Sequence, residues 1–406
     1  MVSRLPRALG FSSALLLAAC GSSAGDDPTV DAAGDGEPDV AVDSATTGDG
    51  PIDPTDAKID ANIDAKADAK VDASGDAPST TGLHVEGNKL VDGGKTVRLL
   101  GVNHSGAEYA CVGNYGIVEG PTGAALIDPI LSWKANTVRI PVNEQCWLGI
   151  NGIDAKYSGD TYRKAIVDYV GAFRARGLYV ILDLHWAAPG TTLAKMQLPM
   201  ADADHAIEFW KSAADAFKGD PGVIFDLFNE PFLTTSNADT TDPWACLQNG
   251  CTVKASSGAP AYKSAGMQQL LDAVRATGAR NVVMVAGLAY TNDLSKWLAH
   301  KPTDPAGQLA VSLHLYNFNT CKDAACWAGW EPIVAAVPFV TGELGEDDCA
   351  HGFVDSFMTW ADARGVSYLG WTWNTWDCKT GPALVTGYDG TPTAFGTGLR
   401  DHLRSL

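Results

Sequence analysis

Two glutamates lie where short hydrophobic segments of this chain give way to polar residues. The segment VIFDLFNEPF, residues 223–232, is mostly apolar and then presents Asn229 and Glu230 before a proline. The segment FVTGELG, residues 339–345, carries Glu343 in a similar setting. Because burying an unpaired carboxylate costs several kcal/mol, such a side chain is either held in a hydrogen-bond network or placed in a cleft. Two carboxyl groups at a shared cleft could divide proton donation and nucleophilic attack between them.

The segments that position these residues follow a regular alternation along the chain. Short apolar, β-branched runs occur eight times, at residues 97–103, 136–142, 179–185, 223–230, 281–288, 309–316, 339–345 and 368–374. Amphipathic segments that end on or near glycine lie between them, which is typical of helices. Eight strand and helix alternations predict an α/β fold, a (β/α)₈ TIM barrel, with a short N-terminal β-hairpin from about Leu83. An open doubly wound sheet is the alternative, but no Gly-rich dinucleotide loop follows the first strand.

Polar residues at the ends of these runs are candidates for a site, because parallel barrels form their active sites at the carboxyl ends of the strands. Most of the strand ends carry one or two such residues: Asn103, His104, Arg139, His185, Trp186, Asn229, Glu230, His314, Tyr316, Glu343, Trp373 and Asn374. A hydrophobic core would not select this set. We therefore expect them to converge at one mouth of the barrel.

Six of these strand-end motifs carry a family resemblance. The motifs RIP, LDLH, FNEP, HLY, TGELG and WTWN resemble, in order and spacing, those of glycoside hydrolase family 5, the cellulase and mannanase family. The resemblance implies that Glu230 is the acid/base and Glu343 the nucleophile. It also implies that Asn229 contacts the sugar 2-hydroxyl, that Arg139 holds the nucleophile, and that Trp373 stacks on the sugar.

The same resemblance assigns His185, His314 and Tyr316 to the substrate and carboxylate network. It implies a retaining endo-β-glycanase that hydrolyses cellulose or another β-glucan by a two-glutamate double displacement. A β-mannanase, an exo-acting β-glycosidase and a non-catalytic glycan-binding barrel are the alternatives. The expected partner is a polysaccharide or oligosaccharide, with no nucleic acid and with a monomeric chain. No cofactor and no metal are expected, since no HxH motif follows the first strand.

Some residues near the predicted mouth have a less specific interpretation. Glu144 and Glu346 lie past strand ends and are expected on the rim. Trp371 and Trp373 have the same parity in the last strand, so for one of them a structural role is as good an explanation as sugar stacking.

Eight cysteines follow Cys20, an even number that suggests disulfides in an exported chain. Zinc is the alternative, but the spacings in CLQNGC and CKDAAC differ from those of zinc knuckles. Strand adjacency in the barrel and short spacing within loops predict four bridges: Cys111–Cys146, Cys246–Cys251, Cys321–Cys326 and Cys349–Cys378.

The N-terminal residues differ in composition from the rest. Basic residues precede a short apolar run that ends in LAAC, which is typical of a secretory signal and resembles a bacterial lipobox with lipidation at Cys20. An ordinary signal with an incidental cysteine is the alternative. Residues 21–80 hold fifteen acidic residues and three lysines, a net −12 of the chain's −19, and no aromatic residue. We therefore expect a signal peptide at 1–19, a disordered Asp/Ala-rich tether at 20–81 and the catalytic barrel at 82–406, located outside the cytoplasm, anchored by lipid to the cell envelope or secreted.

Overall fold

The computed structural model describes residues 82–378 and 381–406. The predicted signal peptide, the lipidation site at Cys20 and the tether lie outside the described residues. No helix within the described ranges is both long enough and apolar enough to span a membrane.

The described residues alternate between strands and helices. In chain order, the strands are β1 (His84–Glu86), β2 (Lys89–Asp92), β3 (Lys95–Val97), β4 (Leu100–Asn103), β5 (Thr137–Asn143), β6 (Tyr179–Trp186), β7 (Val223–Asp226), β8 (Thr252–Val253), β9 (Tyr262–Lys263), β10 (Val283–Val285), β11 (Leu309–Tyr316), β12 (Phe339–Gly345), β13 (Ser367–Gly370), β14 (Val385–Gly387) and β15 (Thr391–Pro392). The helices are α1 (Ala124–Ser132), α2 (Glu144–Leu148), α3 (Asp160–Arg174), α4 (Ala206–Phe217), α5 (Pro243–Asn249), α6 (Met267–Ala276), α7 (Trp297–His300), α8 (Ala324–Trp327), α9 (Glu331–Val334), α10 (Gly352–Asp362) and α11 (Ala394–Ser405). Two short 3₁₀ helices lie at Ala155–Tyr157 and Ala328–Trp330.

Eight parallel strands close into a barrel, which confirms the predicted (β/α)₈ fold. The order around the barrel is β10, β11, β12, β13, β4, β5, β6, β7, and β7 pairs again with β10. The first and last barrel strands meet at the pairing of Leu100 with Tyr368. The N-terminal element is larger than the expected hairpin, because β1, β2 and β3 form a three-stranded antiparallel sheet.

Side chains alternate between two hydrophobic clusters along the barrel strands. On β6, Val180 and Leu182 belong to the large cluster between strands and helices, whereas Ile181 belongs to a smaller one. Since neighbouring strand residues point to opposite faces, the smaller cluster fills the barrel interior. It includes Leu83, directly before β1, and Leu90 of β2, so the N-terminal sheet packs at the amino-terminal end of the barrel. The opposite end is left for polar side chains.

Helix α3 illustrates how the outer layer is specified. Its buried residues Tyr162, Ile166, Tyr169, Val170 and Phe173 recur at three- and four-residue intervals, which places them on one face. That face packs into the large cluster around the barrel. The outer helices thus follow from sequence periodicity.

Within residues 82–378 and 381–406, four disulfide bonds lie in the connections that follow barrel strands. The bonded pairs are Cys111–Cys146, Cys246–Cys251, Cys321–Cys326 and Cys349–Cys378. The predicted pairings are confirmed. Two of the bridges join loops of neighbouring barrel strands, and two close short loops.

Candidate active site

Arg139 lies at the centre of the candidate site. It alternates on β5 with Val138 and Ile140, which face the outer cluster, so its side chain points into the barrel and is fully buried. Its guanidinium donates to Oε1 of Glu343 at 2.9 Å and to Oδ1 of Asn229 at 2.9 Å. The planar, permanently charged guanidinium therefore fixes two predicted site residues from opposite strands.

Two buried aspartates complete the surroundings of Arg139, and sequence reasoning missed both. The guanidinium lies 3.0 Å from Oδ2 of Asp183 and 3.1 Å from Oδ2 of Asp226. These aspartates are paired in register on β6 and β7, and their Oδ1 atoms have no hydrogen-bond partner among the described residues. Burial raises the pKa of each carboxyl to about 7, against the opposing effect of Arg139. One guanidinium serves three carboxyl groups, counting Glu343, and the aspartates are poised to retain a proton.

Glu343 reaches the site through an irregularity in β12. Val340 faces the barrel interior, so simple alternation would direct Glu343 outward. The pairing of β12 shifts register before Glu343 on the β11 side, and Glu343 then pairs with His314. Both carboxylate oxygens are engaged, because Tyr316 donates to Oε2 at 2.5 Å and Arg139 donates to Oε1.

Glu230 follows β7 in the chain, and its surroundings are less polar than those of Glu343. Gln197 donates to its Oε2 at 2.9 Å, and Nδ1 of His314 lies 2.8 Å from its Oε1. Burial raises the pKa of the Glu230 carboxyl, although the Gln197 hydrogen bond opposes the shift. Burial also lowers the pKa of His314 to about 3, so the imidazole beside Glu230 is neutral at ordinary pH. Gln197 lies in the long loop after β6, where no sequence pattern marked it.

The two glutamates approach each other across the mouth. A carboxylate oxygen of Glu230 and one of Glu343 lie within 4.8 Å of each other, with His314 between β7 and β12. The nearby Nδ1 of His314 is 3.4 Å from Oε2 of Glu343. The arrangement places a carboxyl of raised pKa opposite a carboxyl held by a guanidinium and a phenol.

His185 lies near these two glutamates. Its Nδ1 lies 2.6 Å from Oδ2 of Asp183, and its ring is stacked on Trp371 at a centroid distance of 5.7 Å. Burial lowers the pKa of His185 to about 4. The residue is therefore a neutral hydrogen-bonding group near physiological pH.

Comparison with known families gives this geometry a context. Residues 91–377 match the family model described as cellulase, glycosyl hydrolase family 5. The chain belongs to glycosyl hydrolase family 5.

Curated proteins that are similar to this chain match it at low identity. The mannan endo-1,4-beta-mannosidase of Streptomyces lividans is 25% identical over 312 residues, covering 72% of this chain and 66% of that protein. Endoglucanase 1 of Saitozyma flava is 26% identical over 232 residues, covering 54% of this chain and 60% of that protein. The chain thus spans less than two thirds of the length of these curated relatives.

Solved structures agree with the barrel fold. The beta-glucanase SdGluc5_26A of Saccharophagus degradans in complex with cellotetraose superposes with a TM-score of 0.60 at 22% identity, covering 80% of this chain and 94% of that chain. The catalytic domain of a mannanase from Streptomyces sp. SirexAA-E gives a TM-score of 0.55 at 22% identity, covering 81% and 92%. At this identity the likeness establishes the fold.

The prediction for Trp373 is wrong. Its side chain is 0% exposed and packs edge-on against Trp133, with ring centroids 4.6 Å apart, so no sugar can reach it. Strand β13 ends at Gly370, and the alternation of a regular strand cannot be extended past that point. Trp371 is instead partly exposed at the mouth of the family 5 barrel, above His185.

The expected rim positions of Glu144 and Glu346 are also wrong. Both residues are buried. Glu144 accepts a hydrogen bond from the backbone N–H of Ala188, and Glu346 accepts one from Val354 at 2.7 Å. Glu144 therefore holds the loop after β6, and Glu346 accepts from a backbone N–H in the first turn of α10.

Three groups in the described ranges bring possible metal ligands within 4.8 Å of one another: Glu230, His314 and Glu343; Glu144, Asp202 and His205; and Cys349, Asp377 and Cys378. In the last group both cysteines are joined in a disulfide. The expectation that no metal takes part stays a prediction.

Proposed function

We propose that this chain hydrolyses β-linked glycans with retention of anomeric configuration. The observation that carries the proposal is the pair of glutamates whose oxygens lie within 4.8 Å of each other. Retaining glycosidases place their carboxyl groups about 5 Å apart, whereas inverting ones need roughly 6.5 to 9.5 Å to admit a water molecule. The short separation supports a double displacement.

Glu230 is the proposed acid/base and Glu343 the proposed nucleophile. Burial raises the pKa of Glu230, which suits a proton donor. Glu343 is held at both oxygens by Arg139 and Tyr316, which suits an oriented nucleophile. Asn229 accepts from Arg139 through Oδ1, so its amide N–H groups remain to donate to a sugar hydroxyl.

The reaction then proceeds in two balanced steps. In the first, Glu230 gives its proton to the glycosidic oxygen while an oxygen of Glu343 bonds to the anomeric carbon and the carbon–oxygen bond to the leaving sugar breaks. In the second, Glu230 removes a proton from water, whose oxygen attacks the anomeric carbon and releases Glu343. Each step inverts the configuration at the anomeric carbon. The two inversions cancel, so the product keeps the β configuration.

A β-glucan such as cellulose is the proposed substrate, and a β-mannan is the second candidate. Curated relatives include both an endoglucanase and a mannan endo-1,4-beta-mannosidase, which supports β-glycans as the substrate class. Trp371, in place of Trp373, is the proposed sugar-stacking residue, because part of its ring is accessible.

The test measures reducing ends released from soluble β-glucans and β-mannans, and the anomer first formed, by NMR. Wild type should release β product. Glu343→Ala should be nearly inactive on every substrate. Glu230→Ala should lose its activity on glycans, yet it should still perform the first step on a substrate that carries a good leaving group. Glu208→Ala, an exposed glutamate on α4, is the matched control and should behave as wild type. An inverted product, or an active Glu343→Ala variant, would overturn the assignment.

We also propose that residues 82–406 form the catalytic domain of an exported protein. Four disulfides favour an oxidising compartment. The signal-like segment and the LAAC sequence support attachment by a lipid at Cys20 to the cell envelope.

A further inference from the structure

The carboxyl group of Glu230 is held by a side chain that no barrel strand carries. Gln197 lies in the connection between β6 and α4, residues 187–205. Its Nε2 donates to Oε2 of Glu230 at 2.9 Å and to the backbone carbonyl of Glu230 at 3.0 Å. Because a carbonyl oxygen can only accept, the amide must present its nitrogen here. Both N–H groups of one amide therefore bind one residue, and they tie the carboxyl of Glu230 to its own backbone.

The backbone that follows Gln197 is fixed against the same segment. The N–H of Phe232 donates to the carbonyl of Pro199 at 3.1 Å, two positions beyond each partner of the first contact. The hydroxyl of Tyr262 donates to the carbonyl of Met200 at 2.6 Å. The chain therefore has a defined path directly after Gln197.

The backbone that precedes Gln197 is held at Ala194. Nδ2 of Asn143 donates to the carbonyl of Ala194 at 2.8 Å, and the N–H of Ala194 donates to Oε1 of Gln145 at 2.9 Å. Asn143 and Gln145 are both buried. Gln197 is thus positioned by contacts on both sides of it along the chain.

The two carboxylate oxygens of Glu230 consequently have different partners. Oε2 accepts from Gln197, whereas Oε1 lies 2.8 Å from Nδ1 of His314. The same Nδ1 is 3.4 Å from Glu343, so Oε1 is on the side of the proposed nucleophile. A hydrogen bond donated to Oε2 favours the carboxylate, and in the acid form it favours a proton on the other oxygen.

We propose that Gln197 is a positioning residue for the acid/base, which fixes the Glu230 carboxyl and directs its proton to Oε1. This inference rests on the proposed function and deepens it, because it makes proton transfer depend on a loop outside the barrel strands. Gln197 acts through Glu230 and needs no contact with the sugar.

Groups that interact electrostatically with Glu230 come from other elements, and the variants below leave them in place: Arg139 of β5, Asp183 and His185 of β6, Tyr290 after β10, His314 and Tyr316 of β11, and Glu343 of β12. A change in the pH profile can therefore be assigned to the substituted side chain.

The experiment compares Gln197→Met with Gln145→Met. Methionine has nearly the length of glutamine but no N–H group, so Gln197→Met removes both hydrogen bonds to Glu230. Gln145→Met is the matched control, because it removes the partner of the Ala194 N–H from the same loop and leaves the contact with Glu230 intact. The substrates are a hexasaccharide of the preferred glycan, whose cleavage needs a proton, and the β-disaccharyl fluoride, which releases fluoride without one.

Gln197→Met should lower kcat/KM on the hexasaccharide roughly tenfold through kcat, as expected for loss of a hydrogen bond to a charged group. Since that hydrogen bond opposes the rise in the pKa of Glu230, its loss should move the alkaline limb up by about one pH unit. On the fluoride, kcat/KM should stay within about twofold of wild type. Gln145→Met should melt at a lower temperature, with its alkaline limb at the wild-type pH.

Gln197→Glu provides a second variant that keeps the shape of the side chain. It places another carboxyl beside Glu230, so its alkaline limb should lie above that of Gln197→Met. A limb that stays at the wild-type pH in both Gln197 variants, or an equal loss on fluoride and hexasaccharide, would overturn the role of Gln197. A wild type that cleaves neither substrate would overturn the proposed function, and this inference with it.

Discussion

At the scale of single residues, the two glutamates differ in what surrounds them. Glu343 accepts hydrogen bonds at both oxygens from a cation and a phenol, whereas Glu230 has an amide and a neutral imidazole beside it. Burial without a cationic hydrogen-bond partner raises the pKa of Glu230. Identical side chains thereby obtain different chemical roles.

This difference predicts a pH profile. The acid form of Glu230 exists below its raised pKa, so kcat/KM on a natural glycan should fall as pH rises through that value. His185 and His314 have pKa values lowered to about 4 and about 3, so their titration lies below this limb. Measurement of kcat/KM from pH 5 to 9 should show the alkaline fall.

A glycosyl fluoride provides the control for that profile. Fluoride departs without a proton, so its kcat/KM should lack the alkaline limb. If both substrates fall with the same apparent pKa, a group other than Glu230 controls the limb.

Sequence reasoning found polar residues that stand out in the family motifs more readily than polar residues inside mostly apolar segments. Glu230, Glu343, Arg139 and Asn229 converge as expected. Asp183 and Asp226 were passed over because apolar residues surround them in sequence, although each lies on the inward face of its strand. Trp373 was misjudged because β13 ends at Gly370, before this residue.

At the scale of elements, the loops of the mouth depend on covalent ties. Cys111 follows β4 and Cys146 lies in α2, directly after β5, so their bond holds two neighbouring loops together. Cys321 and Cys326 instead close a loop within one connection. The two kinds of bridge restrict the unfolded chain to different degrees.

Removal of these bridges should therefore have unequal effects. The Cys111–Cys146 bridge spans 35 positions and the Cys321–Cys326 bridge spans 5. Chain entropy predicts a loss of about 4 kcal/mol in unfolding free energy for the first and about 2 kcal/mol for the second. Urea unfolding of the Cys111→Ala/Cys146→Ala and Cys321→Ala/Cys326→Ala variants tests the order. A larger loss for the short bridge would show that local contacts, not loop closure, dominate.

Element order was predictable because hydrophobic periodicity repeats eight times, but the irregularity in β12 was not. The register shift that turns Glu343 inward depends on pairing with β11, a long-range property. Gly342 fits this position, because a Cβ there would lie 3.3 Å from Nε2 of His314. Single-strand patterns carry no such information.

At the scale of the whole molecule, the barrel strands and the connections that follow them carry every residue of the proposed site. The acidic residues 21–81 contribute no aromatic side chain and carry much of the chain's net charge. We regard this segment as a spacer between a lipid at Cys20 and the enzyme. The chemistry should then be independent of it.

Deletion of residues 21–81 should leave kcat and KM on a soluble glycan unchanged, because the proposed contacts to substrate lie in the barrel. Steady-state assays of the full and shortened proteins test this, and a several-fold loss of kcat would contradict it.

Cys20→Ser should move the protein from the membrane fraction to the soluble fraction in a bacterial host that processes lipoproteins. An unchanged distribution would refute lipidation.

The contacts of Arg139 also constrain how activity can arise during folding. This one side chain joins residues that lie between 36 and 204 positions away along the chain. Such non-local contacts form late, because the intervening loops must close first. No fragment that ends before β12 can contain the pair of glutamates, and no half-barrel can orient them. During refolding, catalysis should therefore recover only with ring closure, after most secondary structure has returned, which makes turnover itself a kinetic marker for the last step of assembly.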